Sequence, residues 1–301
     1  MKHLKTISEF HQFRELPKPL HPLISVIDVE AVKHLHRDEP MNLVLDFYGI
    51  AIKRAGNLRV KYGQQPLDFN DGIMSFMAPH QVISLALEKN DEIKQSGWVI
   101  YIHPDLLWNT PLAKTIHRYE FWSYSVNEAL FLSEKEENII NNIIKNIQQE
   151  YHSNIDRFSK QIIISQIEGL LNYAERFYHR QFITREKANH QILERLEKLL
   201  TDYFNNEDLV SNGLPTVQYV ARSLNLSPGY LGGLLRVLTG QNTQQHIHEK
   251  LIEKAKEKLS TTDLSISEIA YDLGFEHLQS FSKLFKAKTN VSPLAFRQSF
   301  N

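Results

Sequence analysis

The chain contains no cysteine. Disulfides, thiolate nucleophiles and cysteine-ligated metals are therefore excluded. Long hydrophobic runs are missing as well. The most apolar early stretch, MNLVLDFYGIAI, is broken by Asp46 and is too short to span a bilayer. The first ten residues, MKHLKTISEF, lack the apolar core of a signal peptide, so a soluble, cytoplasmic protein is the expectation. There is no phosphate-cradling glycine loop, no HExxH pair and no nucleophile elbow. Charge of one sign is not in excess either: 34 basic and 35 acidic residues leave a formal charge of −1, which gives no global sign of a nucleic-acid partner. What is present is an ordinary globular composition over 301 residues, 42% apolar and 23% charged, a length that suits two domains.

Residues up to about 130 carry strand-like segments, LVLDFYGIAIKR, LRVKYG and IMSFMA. They are punctuated by Gly56-Asn57, Asn70-Asp71-Gly72 and Ala78-Pro79, which suits a small sandwich or barrel. At Ser133 the period changes. The stretch SEKE forms a capping box in which Ser133 and Glu136 satisfy each other's amides. Ile139, Ile140, Ile143, Ile144 and Ile147 then make one helical stripe, and Ile163, Ile167, Leu170, Leu171, Ala174 and Phe177 make another. Packing on their own β domain is the simpler use for these two faces, and a dimer interface is the sharper one. FITREKANHQ is polar and without clear apolar period. The expected boundaries are therefore a first domain over residues 1–183, a linker over 184–191 and a helical domain over 192–301.

The helical domain contains an internal repeat. Val220-Ala221-Arg222-Ser223-Leu224-Asn225-Leu226 resembles Ile269-Ala270-Tyr271-Asp272-Leu273-Gly274-Phe275 at an offset of 49. Leu231, Leu234, Leu235, Arg236 and Thr239 match Phe281, Leu284, Phe285, Lys286 and Thr289 at an offset of 50, so one extra residue sits in the second turn. Gly240 and Asn290, both tolerant of the left-handed conformation, close the two copies. Ser265 with Glu268, Ser227-Pro228 and Ser292-Pro293 supply helix starts. TQQHIHEKLIEKAKEKL joins the copies, with Ile247, Leu251, Ala255 and Leu259 on one stripe and Lys250, Lys254 and Lys258 on another among acids. Each copy reads as a helix–turn–helix. Two copies on one connecting helix can reach successive major grooves about 34 Å apart. From Val217 on, ten basic residues meet seven acidic ones, and from Phe281 on four basic residues meet none, a local basic face only.

The segment SISEIAYDLGFEHLQSFSKLFKAKTNVSPLAFR resembles the second helix–turn–helix and terminal helix of the AraC/XylS family of bacterial transcription regulators. The resemblance covers about the last 100 residues. More loosely, LPKPLHPLISVID, LDFYGIAIKR and FMAPHQV resemble the family's cupin-like sensor domain. The implied fold is α+β: an N-terminal cupin-like β-barrel or sandwich, two following helices, then an all-α domain with two helix–turn–helix units. The implied function is a dimeric, effector-responsive regulator, an activator more than a repressor. Its partners would be double-stranded DNA, RNA polymerase, a small-molecule effector and a second copy of the chain.

Carried onto this sequence, the resemblance places base-edge contacts at Gln279, Ser282 and Lys283, residue types that can pair with adenine or reach guanine acceptors. Lys286 is a further DNA contact, and His277, near the helix start, either touches phosphate or only caps the helix. In the first unit the equivalent positions are Gly229, Gly232 and Gly233, where the family often has polar or basic residues. The expectation is unequal reading. The second unit specifies sequence, while the first positions the DNA backbone through Tyr230, Arg236 and cap amides. No catalytic residue, cofactor or metal ligand is expected. His34-Leu-His36-Arg-Asp-Glu39 faintly resembles a cupin metal triad but lacks its flanking glycines. The rival reading is a cupin-type metal enzyme with a helical oligomerisation module. A third is a regulator whose first domain binds another protein.

Overall fold

The computed structural model describes residues 2–31, 41–55, 60–62, 65–67, 72–85, 95–125, 128–153, 156–205, 209 and 213–300. The chain divides into two compact units, Met1–Gln181 and Phe182–Asn301.

The first unit opens with β1 (Lys2–Leu4), α1 (Ile7–Phe13) and β2 (Ile24–Asp28). Then come β3 (Met41–Leu45), β4 (Tyr48–Ala55), β5 (Val60–Tyr62), β6 (Gln65–Leu67), β7 (Ile73–Met77), β8 (Val82–Leu85) and β9 (Gln95–Ile102). The short helix α2 (Pro111–Thr115) precedes β10 (Leu130–Phe131). Five strands form an antiparallel sheet in the order β10-β7-β4-β9-β2. Strands β1, β3 and β8 form a second sheet, in which β1 runs parallel to β3 and pairs His3 with Val44. Alternation decides which side chains turn inward: on β7, Met74 and Phe76 are buried while Ile73, Ser75 and Met77 are half-buried.

The chain leaves the second sheet at Leu45 and enters the first at Tyr48, turning a corner at the buried Phe47. Leu4, Ile7, Phe10, Ile27, Leu45 and Phe47 share one core cluster fed by both sheets. The expected barrel is not closed: among the described residues no strand pairing joins the two sheets. The link between them is covalent and hydrophobic rather than a continuous ladder.

The change of period at Ser133 is borne out. The helix α3 (Glu134–His152) starts at the Ser133–Glu136 capping box, and Ile140, Ile144 and Ile147 are fully buried. On α4 (Ser159–Thr184) every residue of the expected stripe is buried, from Ile163 to Phe177. Polar ties hold α4 to its own unit. Arg180 bonds Glu136 and the Phe131 carbonyl, Gln181 accepts from the Phe131 amide, and Tyr119 donates to Asn172. These faces therefore serve the fold of the first unit.

The expected linker is corrected. Apart from Arg185, residues 184–191 are helical, in the end of α4 and the start of α5 (Glu186–Asn205). The apolar period is missing because a polar residue takes the inward place. Asn189 is buried and donates to the Phe182 carbonyl. The rest of the second unit is α6 (Val217–Ser223), α7 (Pro228–Thr239), α8 (Thr243–Thr261), α9 (Ile266–Asp272), α10 (Leu278–Thr289) and α11 (Pro293–Gln298). No helix among the described residues is long and apolar enough to cross a membrane.

Candidate nucleic-acid interface

The repeat seen in the sequence is a repeat of hydrogen bonds. At the end of α6 the Leu226 amide donates to the Ala221 carbonyl at 2.9 Å, and the Asn225 amide to Arg222 at 3.0 Å. At the end of α9 the Phe275 amide donates to Ala270 at 3.0 Å, and the Gly274 amide to Tyr271 at 2.9 Å. Both are Schellman turns, whose pivot must take positive φ. Asn225 does so at 59° and Gly274 at 82°. The second helices also end alike. Thr239 and Thr289 each bond a carbonyl one turn back at 2.8 Å, and Gly240 and Asn290 both adopt the left-handed conformation.

Packing fixes which face of each second helix turns outward. In the second unit Ile269, Ala270, Leu273, Phe281 and Phe285 are fully buried. Phe281 lies edge-on to Phe275, and Phe285 edge-on to Phe296. With Phe281 and Phe285 inward, helical spacing sends Gln279, Lys283 and Lys286 outward, and all three are exposed. Ser282 and Leu284 are half-buried. His277 is exposed and stands at the helix start without making a side-chain cap bond. That leaves amides in the first turn of α10 without a side-chain acceptor, as a phosphate-facing helix start requires. Ser280, which the sequence reading passed over, is also exposed on this helix. Its exposure follows from the same spacing, one residue before Phe281.

The first unit differs and requires corrections. Tyr230, expected against the DNA backbone, is 1% exposed and packs edge-on to Phe182. It sits three residues after the Ser227 cap, one position before Leu231, and the aromatic ring has gone into the core with its neighbours. Gly232 and Gly233, also expected at the interface, are buried. A side chain at Gly232 would meet only the Arg236 guanidinium, at 3.8 Å. Arg236 itself is exposed, as expected.

The connecting helix α8 buries Ile247, Leu251, Ala255 and Leu259. Its lysine stripe is neutralised: Lys250 pairs with Glu253, Lys254 with Glu257 and Lys258 with Asp272. Lys283, Lys286 and Lys288, by contrast, make no ion pair among the described residues. The outward side of α10 is therefore a positive face of this unit. Arg297 faces inward: its Nε donates to the Leu259 carbonyl at 3.3 Å, tying α11 to the end of α8.

A compact pair of helix–turn–helix units, one with a polar and cationic second helix, defines a DNA-binding domain. The comparisons with known proteins agree. A family model described as a helix-turn-helix domain matches residues 220–299, and this part of the chain is an AraC-type helix-turn-helix domain. Over 147 residues the chain is 31% identical to the uncharacterized HTH-type transcriptional regulator YfiF of Bacillus subtilis (strain 168), covering 48% of this chain and 43% of that protein. Over 84 residues it is 33% identical to the raffinose operon transcriptional regulatory protein RafR of Pediococcus pentosaceus, covering 28% of this chain and 30% of that one. The chain thus spans less than half the length of either relative. Among solved structures, the C-terminal domain of AraT, a response regulator from Geobacillus stearothermophilus, aligns over 36% of this chain and 84% of its own, with 31% identity and a TM-score of 0.32.

Proposed function

We propose that this chain is a sequence-specific DNA-binding transcription regulator. The observation that carries the proposal is the outward face of α10, where Gln279, Lys283 and Lys286 are exposed on a helix anchored by Phe281 and Phe285. Base preference comes from Gln279, Ser282 and Lys283, and phosphate contact from Lys286, Lys288, Arg236 and the amides beside His277. The first unit, with glycines where the second has polar side chains, docks without reading bases.

The finer parts of the proposal are response to an effector in the first unit, pairing of two chains, contact with RNA polymerase, and activation more than repression. They are supported by the resemblance to the regulator family. An effector would act only through unequal affinity for two states of the protein. The enzyme reading has no support: the motif from His34 to Glu39 on which it leaned lies outside the described residues.

The test is selection of fragmented genomic DNA by the full chain at about 150 mM salt, beside Lys283→Ala. The expected result is one enriched motif for the wild type, with one element weakened or relaxed in the variant. No enriched motif, with or without candidate effectors, would overturn the proposal.

A further inference from the structure

Three ligand-bearing side chains from distant parts of the sequence meet on the first unit. The Nε2 of His3, the Oδ1 of Asp46 and the Nδ1 of His80 all lie within 4.8 Å of one another. His3 and His80 both approach the same carboxylate oxygen, at 2.5 Å and 3.0 Å. We propose that His3, Asp46 and His80 form a binding site for a divalent transition-metal ion of the zinc class.

The backbone holds these residues in place independently of their side chains. His3 lies in β1, in parallel register with β3. Asp46 follows β3 directly, and its amide donates to the Leu4 carbonyl at 3.1 Å. The His80 amide donates to the Leu45 carbonyl at 2.7 Å. Each ligand is therefore bound to its neighbour's strand by a main-chain hydrogen bond or by sheet register.

His80 also occupies an unusual conformation. Ala78-Pro79-His80-Gln81 forms a turn closed by the Gln81 amide on the Ala78 carbonyl, with His80 at φ 66°. Proline at the second position and positive φ at the third are the marks of a type II turn, whose third position favours glycine or asparagine. Histidine there is costly, and strain of this kind collects where a side chain is needed at a fixed point. The turn directs that imidazole at Asp46.

Two imidazoles and a carboxylate suit zinc, nickel, cobalt or iron(II), and are poor for magnesium or calcium, which prefer oxygen alone. With metal–ligand distances of about 2.0–2.2 Å, tetrahedral ligands stand roughly 3.3 Å apart. The two imidazole–carboxylate separations, 2.5 Å and 3.0 Å, need to open by less than about 1 Å to admit an ion. Binding replaces the two imidazole N–H donors with lone pairs, the proton of each ring moving to its other nitrogen. The remaining coordination positions face solvent, since the His3 and His80 side chains are 46% and 73% exposed. The alternative use of this cluster is a plain hydrogen-bonded trio that pins β1. Both uses predict a contribution to stability, but only the first predicts a metal-dependent one.

The experiment is titration of the metal-free full chain with Zn2+ and with Co2+, following heat, thermal unfolding and the visible spectrum of cobalt. One saturable equivalent per chain is expected, with stronger cobalt absorption than the aqueous ion and a rise in the first unfolding midpoint. His80→Gly keeps the turn, and Asp46→Asn keeps a hydrogen-bond acceptor. Each should weaken binding by about 10-fold or more and abolish the metal-dependent rise, with metal-free unfolding little changed. His117→Ala, elsewhere on the first unit, should change nothing. Absence of saturable binding, or unaltered binding in both His80→Gly and Asp46→Asn, would overturn the proposal. No DNA enters this measurement, so its failure leaves the regulator reading intact, and the converse also holds.

Discussion

Single residues separate the two halves of the DNA-binding domain. Lys283 and Gly233 occupy equivalent places in the repeat, yet one is an exposed cation and the other has no side chain and is buried. Replacing Lys283 or Gln279 by alanine should cost roughly 1–3 kcal/mol of discrimination at one base position, measured by competition between single-base variants of the selected site. Gly232 should behave in the opposite way. It lies inside a helix with space beside it, so Gly232→Ala should stabilise the domain by up to about 1 kcal/mol in denaturant titration and leave base preference unchanged. Loss of base preference in that variant would mean that the first unit reads sequence after all. The sequence showed which residue types stand at these positions, because helical spacing from Phe281 and Phe285 is enough to orient Gln279 and Lys283. It did not show that Tyr230 turns inward. A tyrosine suits both a core and a phosphate contact, and only the position of Phe182 decides between them.

Secondary elements were legible wherever a local rule acts alone. The capping boxes at Ser133 and Ser265 and the proline starts at Pro228 and Pro293 are found where the sequence put them. Elements with a polar residue on the inward face were not legible, as the helix through residues 186–191 with its buried Asn189 shows. The two Schellman turns allow a sharper test. Gly274 has positive φ, and an added Cβ would also meet the Gly213 backbone at 3.1 Å. Gly274→Ala should therefore cost at least about 1–2 kcal/mol of stability, whereas Asn225→Gly should be nearly neutral. Equal effects would mean that the turns are not equivalent.

The start of α8 carries a pH dependence. His246 contacts Thr239 at 2.9 Å, and burial lowers its pKa against the opposing pull of Glu249 and Glu197. Burial, with the Lys288 charge, lowers His248 also. A histidine whose folded pKa is depressed gives its full stability above the unfolded value, near 6.5, and loses it as pH falls through the folded value. The melting temperature of this unit should therefore fall between about pH 7 and pH 5, and fall less in His246→Gln. An identical decline in the variant would remove His246 from the account.

For the whole molecule, the total charge conceals how it is distributed. A formal charge of −1 over 301 residues gives no sign of a nucleic-acid partner, yet on α8 ion pairs cancel Lys250, Lys254 and Lys258, while the three lysines of α10 make none among the described residues. Salt dependence measures this arrangement. If Lys286, Lys288 and Arg236 supply the main phosphate contacts, the logarithm of affinity against that of salt should have a slope of about −3 per chain, reduced by about 1 in Lys286→Ala. A much steeper slope would require the paired lysines of α8 to be released on binding. The architecture of the first unit was less legible than that of the second. Its strands were visible as β-type runs, but the barrel expectation came from resemblance, and the corner at Phe47 that keeps two sheets apart has no local signature.

The bond from Arg297 to the Leu259 carbonyl and the packing of Phe296 on Phe285 also bear on how the chain is synthesised. In the first helix–turn–helix, α6 packs on α7 and α7 on α8, so these contacts are available once α8 has been made. The second must wait for residues 293–297, because until they leave the ribosome the carbonyl at Leu259 and one face of Phe285 have no cover. The half of the domain proposed to read bases is thus completed after the other. A ribosome stalled just short of Arg297 would hold a chain whose second helix–turn–helix still lacks this cover.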